Sequence, residues 1–211
     1  VEPAAQLTVA MILALARNLP LHLDAFRAGR WQKRTGVLLS EWTIGLVGFG
    51  RIGRLVARYL HPFGPRLLVA DPALPAGPQA DGVTAAELDT LLAESDLVSV
   101  HAARPREAGV LLGRRELGLM KRGGYLVNTA RGYLVDEAAL EEALTSGRLA
   151  GAALDVFAEE PYAGPLARLP NVLCTPHVAT LTRASRAAME RRAAQYVVEH
   201  FAAQCLTPSS R

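Results

Sequence analysis

The sequence predicts a doubly wound α/β protein built on a parallel sheet. Three observations predict it. Short apolar runs rich in Val, Leu and Ala alternate with helix-length segments, each run is bounded by Gly, Pro or polar turn residues, and one early run ends directly in a glycine-rich turn. Strands that read as continuous apolar runs are covered on both faces, which is the condition of a parallel sheet between two helical layers.

The elements follow in order. Residues 4–19 are apolar all round, the pattern of a buried helix, and Pro20 is expected to end it. Residues 27–31 (RAGRW) read as a turn-like connection. A β-rich run at 43–47 (TIGLV) leads into glycines and a helix over 51–60. A strand at 66–70 precedes a Pro/Gly-rich loop over 71–82. A helix over 85–93 is expected next, with Thr84 and Glu87 spaced as a capping box, then a strand at 97–101. Helices over 114–120 and 136–146 precede strands at 125–128 and 152–156, and a last strand at 172–175 leads to a long helix over 182–203.

At 211 residues the chain exceeds the ~150 typical of one domain without reaching two, so one complete domain plus a remnant is expected. The chain opens at Val1 inside a helix-like segment and reads as a piece of something longer. Half its residues are hydrophobic and a fifth charged, enough for a sizeable core and too apolar for a disordered chain. The strongly apolar stretch 7–16 stops at Arg17, short of the ~20 residues of a membrane span, and no basic segment precedes it. Neither membrane insertion nor secretion is expected. Of the 23 basic residues only Lys33 and Lys121 are Lys, and 20 acids leave a net charge of +3. The basic residues are spread among acids, without the clustering nucleic-acid binding requires. Cys174 and Cys205 stand 31 residues apart in no metal-ligand spacing. Free thiols, no metal site and a reducing, cytoplasmic setting are expected.

Gly48-Phe49-Gly50-Arg51-Ile52-Gly53 is a GxGxxG after a strand and at the start of a helix, and Asp71 closes the next strand 18 residues after Gly53. Gly48 permits the tight turn, Gly50 lets backbone approach a pyrophosphate, and Gly53 lets the helix pack on the strand. The helix N-terminus faces the phosphate, and Asp71 can accept from ribose hydroxyls. An ordinary βα turn with a surface aspartate is the competing interpretation. The same carboxylate repels a 2′-phosphate, and residues 72–78 offer no Arg to neutralise one, so NAD is expected over NADP.

In such sheets ligands bind beyond the carboxyl ends of the strands. Three strand ends there carry reactive groups: Thr129-Ala130-Arg131-Gly132, then Phe157-Ala158-Glu159-Glu160-Pro161, then Pro176-His177. His177 can give a proton to a carbonyl oxygen as hydride reaches its carbon. Glu160 would orient the ring and favour its protonated form. Arg131 offers a fork of donors to a substrate carboxylate. Together they suit 2-keto acid reduction; a packing histidine, a capping or surface arginine and an exposed loop acid are the plainer alternatives. Asp155, inside an apolar strand, needs a partner such as a backbone N–H or a bound carboxamide.

These residues carry a resemblance. GFGRIGRLVARYLHPFG, the run from Met120 to Pro161 and NVLCTPHVATLT resemble the cofactor domain of the D-isomer-specific 2-hydroxyacid dehydrogenases over nearly the whole chain. The resemblance implies Arg131, Glu160 and His177 as the catalytic triad. It implies that Arg51, Ile52, Asp71, Ala102, Ala103, Thr129, Ala130, Arg131, Asp155 and His177 line the NAD site, with Asp155 holding the nicotinamide carboxamide. It further implies an interdomain helix over 1–20, an NAD-binding domain over 21–180, and a helix over 181–211 returning toward an N-terminal flavodoxin-like substrate domain that is absent here. A homodimer is implied, with the first helix and RAGRW in the contact, and an apolar helix left exposed in a monomer would agree. Departures are the loop 101–108, where HAARPREA replaces the usual H-x-P-x-T-x-x-T, Gln6 in place of Glu, and Arg122 in place of Pro. Two other functions share the scaffold: an NAD(H)-sensing interaction protein similar to the C-terminal-binding corepressors, and a non-catalytic nucleotide-binding remnant.

Overall fold

The computed structural model describes residues 1–103, 107 and 109–205, the last four as backbone only. Most of the atypical stretch 104–108, and the Cys205 side chain, therefore lie outside the described residues. The chain divides into a compact unit over Val1–Ala179 and a second from Thr180 onward.

The first unit is one eight-stranded sheet. Its strands are β1 (Thr43–Val47), β2 (Arg66–Ala70), β3 (Gly77–Pro78), β4 (Thr84–Ala85), β5 (Leu97–Val100), β6 (Gly124–Asn128), β7 (Leu149–Leu154) and β8 (Val172–Cys174). They lie in the order β3-β4-β2-β1-β5-β6-β7-β8, parallel throughout except for the short edge pairing of β3 with β4. The chain winds outward from β1 through β2 to β4, then crosses back to β5. That reversal opens a crevice at the carboxyl ends of β1 and β5.

Helices α1 (Glu2–Ala16) and α3 (Arg51–Leu60) cover one face; α4 (Leu88–Glu94), α5 (Arg114–Leu119) and α6 (Glu137–Thr145) cover the other. Strand side chains alternate between two buried clusters: in β7, Ala152 and Leu154 join Leu126 and Leu140 on one side, while Ala153 joins Ile12, Ile44 and Val127 on the other. Period-two alternation between two apolar layers is why these strands read as unbroken apolar runs. The second unit carries α7 (Arg183–Cys205), with Ser185 N–H donating to Thr182 Oγ1 across the start of the helix (3.2 Å).

Three local expectations are corrected. The first helix ends at Ala16; Asn18, at φ 53°, turns the chain, and Pro20 sits in the first turn of a second helix, α2 (Leu19–Arg27). Proline is tolerated there because a first-turn N–H has no intrahelical partner, so Pro20 begins a helix instead of ending one. The capping box at Thr84 and Glu87 does not form. Thr84 and Ala85 pair with Leu68 and Val69, and α4 starts only at Leu88. Nor is α1 exposed all round: Ala5, Thr8, Met11, Ile12 and Leu15 are buried, Leu7, Val9, Leu13 and Ala14 are partly buried, and exposed large apolar side chains include Leu19, Leu23 and Phe26 of α2 and Trp31.

Candidate active site and dinucleotide cradle

At the end of β1 the backbone turns at Gly48, φ 94°, where a Cβ would stand 2.6 Å from the Ala102 nitrogen. A Cβ on Gly53 would stand 2.3 Å from the Gly48 carbonyl oxygen, so only glycine lets α3 start this close to its strand. Gly50 differs: nothing lies within 4 Å of where its Cβ would be, and no side chain caps α3. The leading N–H groups of the helix are left for an anion, and the space over Gly50 is open to one. Arg51 is exposed and Ile52 partly buried at that helix start.

Asp71 braces the turn. Its Oδ2 accepts from Phe49 N–H (2.7 Å) and its Oδ1 from Ala73 N–H (3.0 Å), leaving one further lone pair on each oxygen. A cavity of about 510 Å³ lies beside it, lined by Gly48, Gly50, Asp71, Pro72, His101, Ala102, Ala103, Leu88 and Leu111. Apolar walls with one carboxylate suit an adenine and its ribose. Sequence reasoning did not single out His101. Its Nε2 lies 2.9 Å from Ser99 Oγ, and desolvation pushes its pKa down to about 4, so it stands in the cavity wall as a neutral imidazole.

Across the sheet edge, β6 ends in Asn128, which closes the next turn on itself: its Oδ1 accepts from Ala130 N–H and its Nδ2 donates to the Arg131 carbonyl, both at 3.0 Å. The exposed Arg131 guanidinium donates to the Ala130 carbonyl (2.7 Å). Gly132 then passes the next loop so closely that a Cβ would stand 1.9 Å from the Phe157 carbonyl carbon. That glycine brings the Arg131 loop against the Glu160 loop.

The Glu160 loop is held by its own acid. Glu160 Oε1 accepts from Phe157 N–H (3.0 Å), and Oε2 lies 2.8 Å from His177 Nδ1. The hydrogen bond to His177, then Phe157 N–H and the nearby Arg131 charge, hold the Glu160 carboxyl below the usual carboxylate range. Glu137, at the start of α6, accepts from Ala158 N–H (2.6 Å) and is a second brace that spacing could not indicate. A cavity of about 550 Å³ flanks the pair, with Phe157 and Tyr162 stacked at 4.1 Å in its wall and Cys174 beside them. Burial pushes the Cys174 thiol up to about 11, which leaves it an inert side chain near neutrality.

His177 sits at φ 52°, a left-handed conformation that is uncommon for a non-glycine residue. Asp155 maintains it. This carboxylate is fully buried; its Oδ1 accepts from the Thr175 hydroxyl (2.5 Å) and Val178 N–H (2.8 Å), and its Oδ2 from Ala179 N–H (2.9 Å). Of the two partners expected for Asp155, the structure has the backbone N–H groups, those of Val178 and Ala179. Thr129 is 7% exposed, with its hydroxyl 2.7 Å from Thr8 Oγ1 of α1. Gln6 only reaches Glu2 on the helix surface (3.2 Å). Among the described residues no group of His, Cys, Asp and Glu could hold a metal, and no single helix is long and apolar enough to cross a membrane.

A glycine turn at the switch point, an acid closing the second strand and polar groups on the later strand ends define a dinucleotide-binding domain of the doubly wound class. Comparison then places the chain within that class. Residues 9–179 match the family of D-isomer specific 2-hydroxyacid dehydrogenases, NAD binding domain, and the chain belongs to that family. It is 40% identical over 185 residues to a D-3-phosphoglycerate dehydrogenase of Archaeoglobus fulgidus, covering 85% of this chain and 35% of that protein. It is 37% identical to a glyoxylate reductase of Thermococcus litoralis, covering 93% of this chain and 63% of that one. The crystal structure of D-lactate dehydrogenase from Aquifex aeolicus with NAD and lactic acid superposes with a TM-score of 0.85 at 33% identity, over 96% of this chain and 67% of that chain. The chain thus spans between a third and two thirds of the length of these curated relatives.

Proposed function

We propose that this chain is the cofactor-binding half of a cytoplasmic NAD-dependent dehydrogenase that interconverts a small 2-hydroxy acid and its 2-keto acid. The observation that carries the reading is the 2.8 Å hydrogen bond from His177 Nδ1 to Glu160, beside Arg131 and on the same sheet edge as the glycine turn. When bound, NAD supplies or accepts the hydride. Gly48, Gly50, Arg51, Ile52 and Gly53 would hold its pyrophosphate, and Asp71, Ala102 and Ala103 its adenosine, with the Asp71 carboxylate disfavouring a 2′-phosphate.

The chain's own residues account for the rest. Glu160 takes the Nδ1 proton into its hydrogen bond, which leaves Nε2 as the ring atom that delivers a proton to the carbonyl oxygen or retrieves it from the hydroxyl. Arg131 binds the substrate carboxylate and polarises the adjacent carbonyl. Asp155 and Thr129 position His177 and Arg131 from beneath. In this reading residues 1–20, with α1 at their centre, form the interdomain segment, 21–180 the NAD-binding domain, and 181–211 a segment returning toward a substrate domain; a second copy of the chain covers Phe26 and Trp31, which are 66% and 81% exposed.

The test is NADH oxidation at 340 nm with glyoxylate, hydroxypyruvate, pyruvate and bulkier 2-keto acids. The chain is assayed alone, with any sequence encoded upstream of Val1, and in that longer form as His177→Asn. Turnover in the longer form, abolished by the substitution, is expected. NADH binding without turnover on any acid in any form would refute the dehydrogenase reading and favour a nucleotide-sensing protein.

A further inference from the structure

Helix α1 contains one fully buried polar side chain, Thr8. Its hydroxyl donates to the Ala4 carbonyl one turn back (2.8 Å) and lies 2.7 Å from Thr129 Oγ1. A hydroxyl has a single proton to give. With that of Thr8 committed to Ala4, the proton between the two threonines belongs to Thr129: Thr129 donates and Thr8 accepts. Two residues beyond Thr129 stands Arg131, whose backbone Asn128 already closes from the strand side. The arginine loop therefore has two anchors, one at the end of its own strand and one on a helix 121 residues earlier.

Two apolar side chains of the same shape would fill this contact equally well. A buried hydroxyl pair adds direction, because the one arrangement that satisfies both groups fixes how α1 sits against the end of β6. We infer that Thr8 is a positioning residue for Arg131: through Thr129 it fixes the backbone from which the guanidinium reaches the substrate carboxylate, so the placement of α1 sets the placement of that arginine. The inference rests on the reading of Arg131 as the carboxylate-binding group.

Thr8→Val keeps the shape and removes the acceptor, leaving the Thr129 hydroxyl buried without a partner; Thr8→Ser keeps the acceptor. Amide hydrogen exchange on this chain is expected to show the Ala130 region opening on the order of tenfold more often in Thr8→Val, as befits an orphaned buried donor. The rest of the sheet should stay at parent rates, and Thr8→Ser should behave as the parent. In the turnover assay Thr8→Val should lower kcat/KM for the keto acid on the order of tenfold, through a raised KM together with a reduced kcat because Arg131 both binds the carboxylate and polarises the carbonyl, with NADH affinity changed less than about twofold. Exchange that is unaltered, or accelerated evenly across the sheet, or equal in the Val and Ser variants, overturns the inference. If the parent turns over no keto acid, the dehydrogenase reading fails by itself, and the exchange data still decide whether Thr8 holds the arginine loop.

Discussion

Asp155→Asn isolates the anchor beneath His177. The carboxylate is fully buried and accepts three hydrogen bonds, from Thr175 Oγ1 and Val178 N–H on one oxygen and Ala179 N–H on the other. Asparagine has the same shape but one acceptor oxygen. With that oxygen kept toward Thr175 and Val178, its NH2 faces the Ala179 N–H, donor against donor; flipped, its NH2 can donate to the Thr175 hydroxyl oxygen but faces the Val178 N–H, so either orientation leaves one backbone donor unpaired. One buried donor left unpaired costs ~1–3 kcal/mol, and two charge-assisted bonds become neutral at ~1 kcal/mol each. Relief of the buried charge offsets part of this. The net expectation is about 2–3 kcal/mol, or about 5–10 °C in Tm for a domain of this size. The assay is thermal unfolding together with amide exchange at Val178 and Ala179, which should accelerate more than amides in β5 or β6. Thr175→Val, which removes one of the three donors, should cost ~1 kcal/mol. A Tm for Asp155→Asn within about 1 °C of the parent, with unchanged exchange at Val178 and Ala179, would refute the view that this carboxylate holds the histidine loop.

Three further outcomes are expected. Gly132→Ala puts a Cβ 1.9 Å from the Phe157 carbonyl carbon and 2.4 Å from the Ala158 nitrogen, where ordinary contacts need ~3.5 Å; calorimetry should show a loss of ~3 kcal/mol or more as the two loops part, and a parent-like Tm would mean the loops are not in contact. His101, ordinarily near 6.5 and held at about 4 by desolvation, makes the unfolded chain the better proton acceptor between those values. Its stabilisation is complete above pH 6.5 and is lost as pH falls toward 4, so the unfolding free energies from denaturant titration at pH 7 and 5 should differ by roughly 2 kcal/mol more in the parent than in His101→Gln. Glu160, held low chiefly by His177, should titrate below the usual carboxylate range by carboxyl-carbon NMR and move up in His177→Asn. Its pairing stabilises above that range and is lost as pH falls through the lowered value, so an unmoved midpoint in the variant would show the hydrogen bond to be absent in solution.

The layers and their winding were legible because each signal was local. The strongest were TIGLV running into Gly48, the helix over residues 51–60 and RLLVA ending in Asp71, whose bounds the structure reproduces for β1, α3 and β2. Arg131, Glu160 and His177 were legible as candidates because parallel topology places every strand's carboxyl end on one edge. Misreadings arose where a tertiary partner outweighed a local preference: Thr84 paired with β2 instead of capping a helix, and Pro20 served the helix after the bend.

Periodicity, and residue types within a few positions of one another, were enough to set the doubly wound architecture, the glycine turn with its acid, and which side chains occupy the strand ends. What holds those side chains in place came from packing across the whole chain. Thr8 meets Thr129 from 121 residues away, Asp155 gives its oxygens to the histidine loop, Glu137 caps the loop at Ala158, and Gly132 admits the Phe157 backbone. Each of these is a distance between segments separated in the chain, and only packing a sheet between two helical layers brings them within hydrogen-bonding reach.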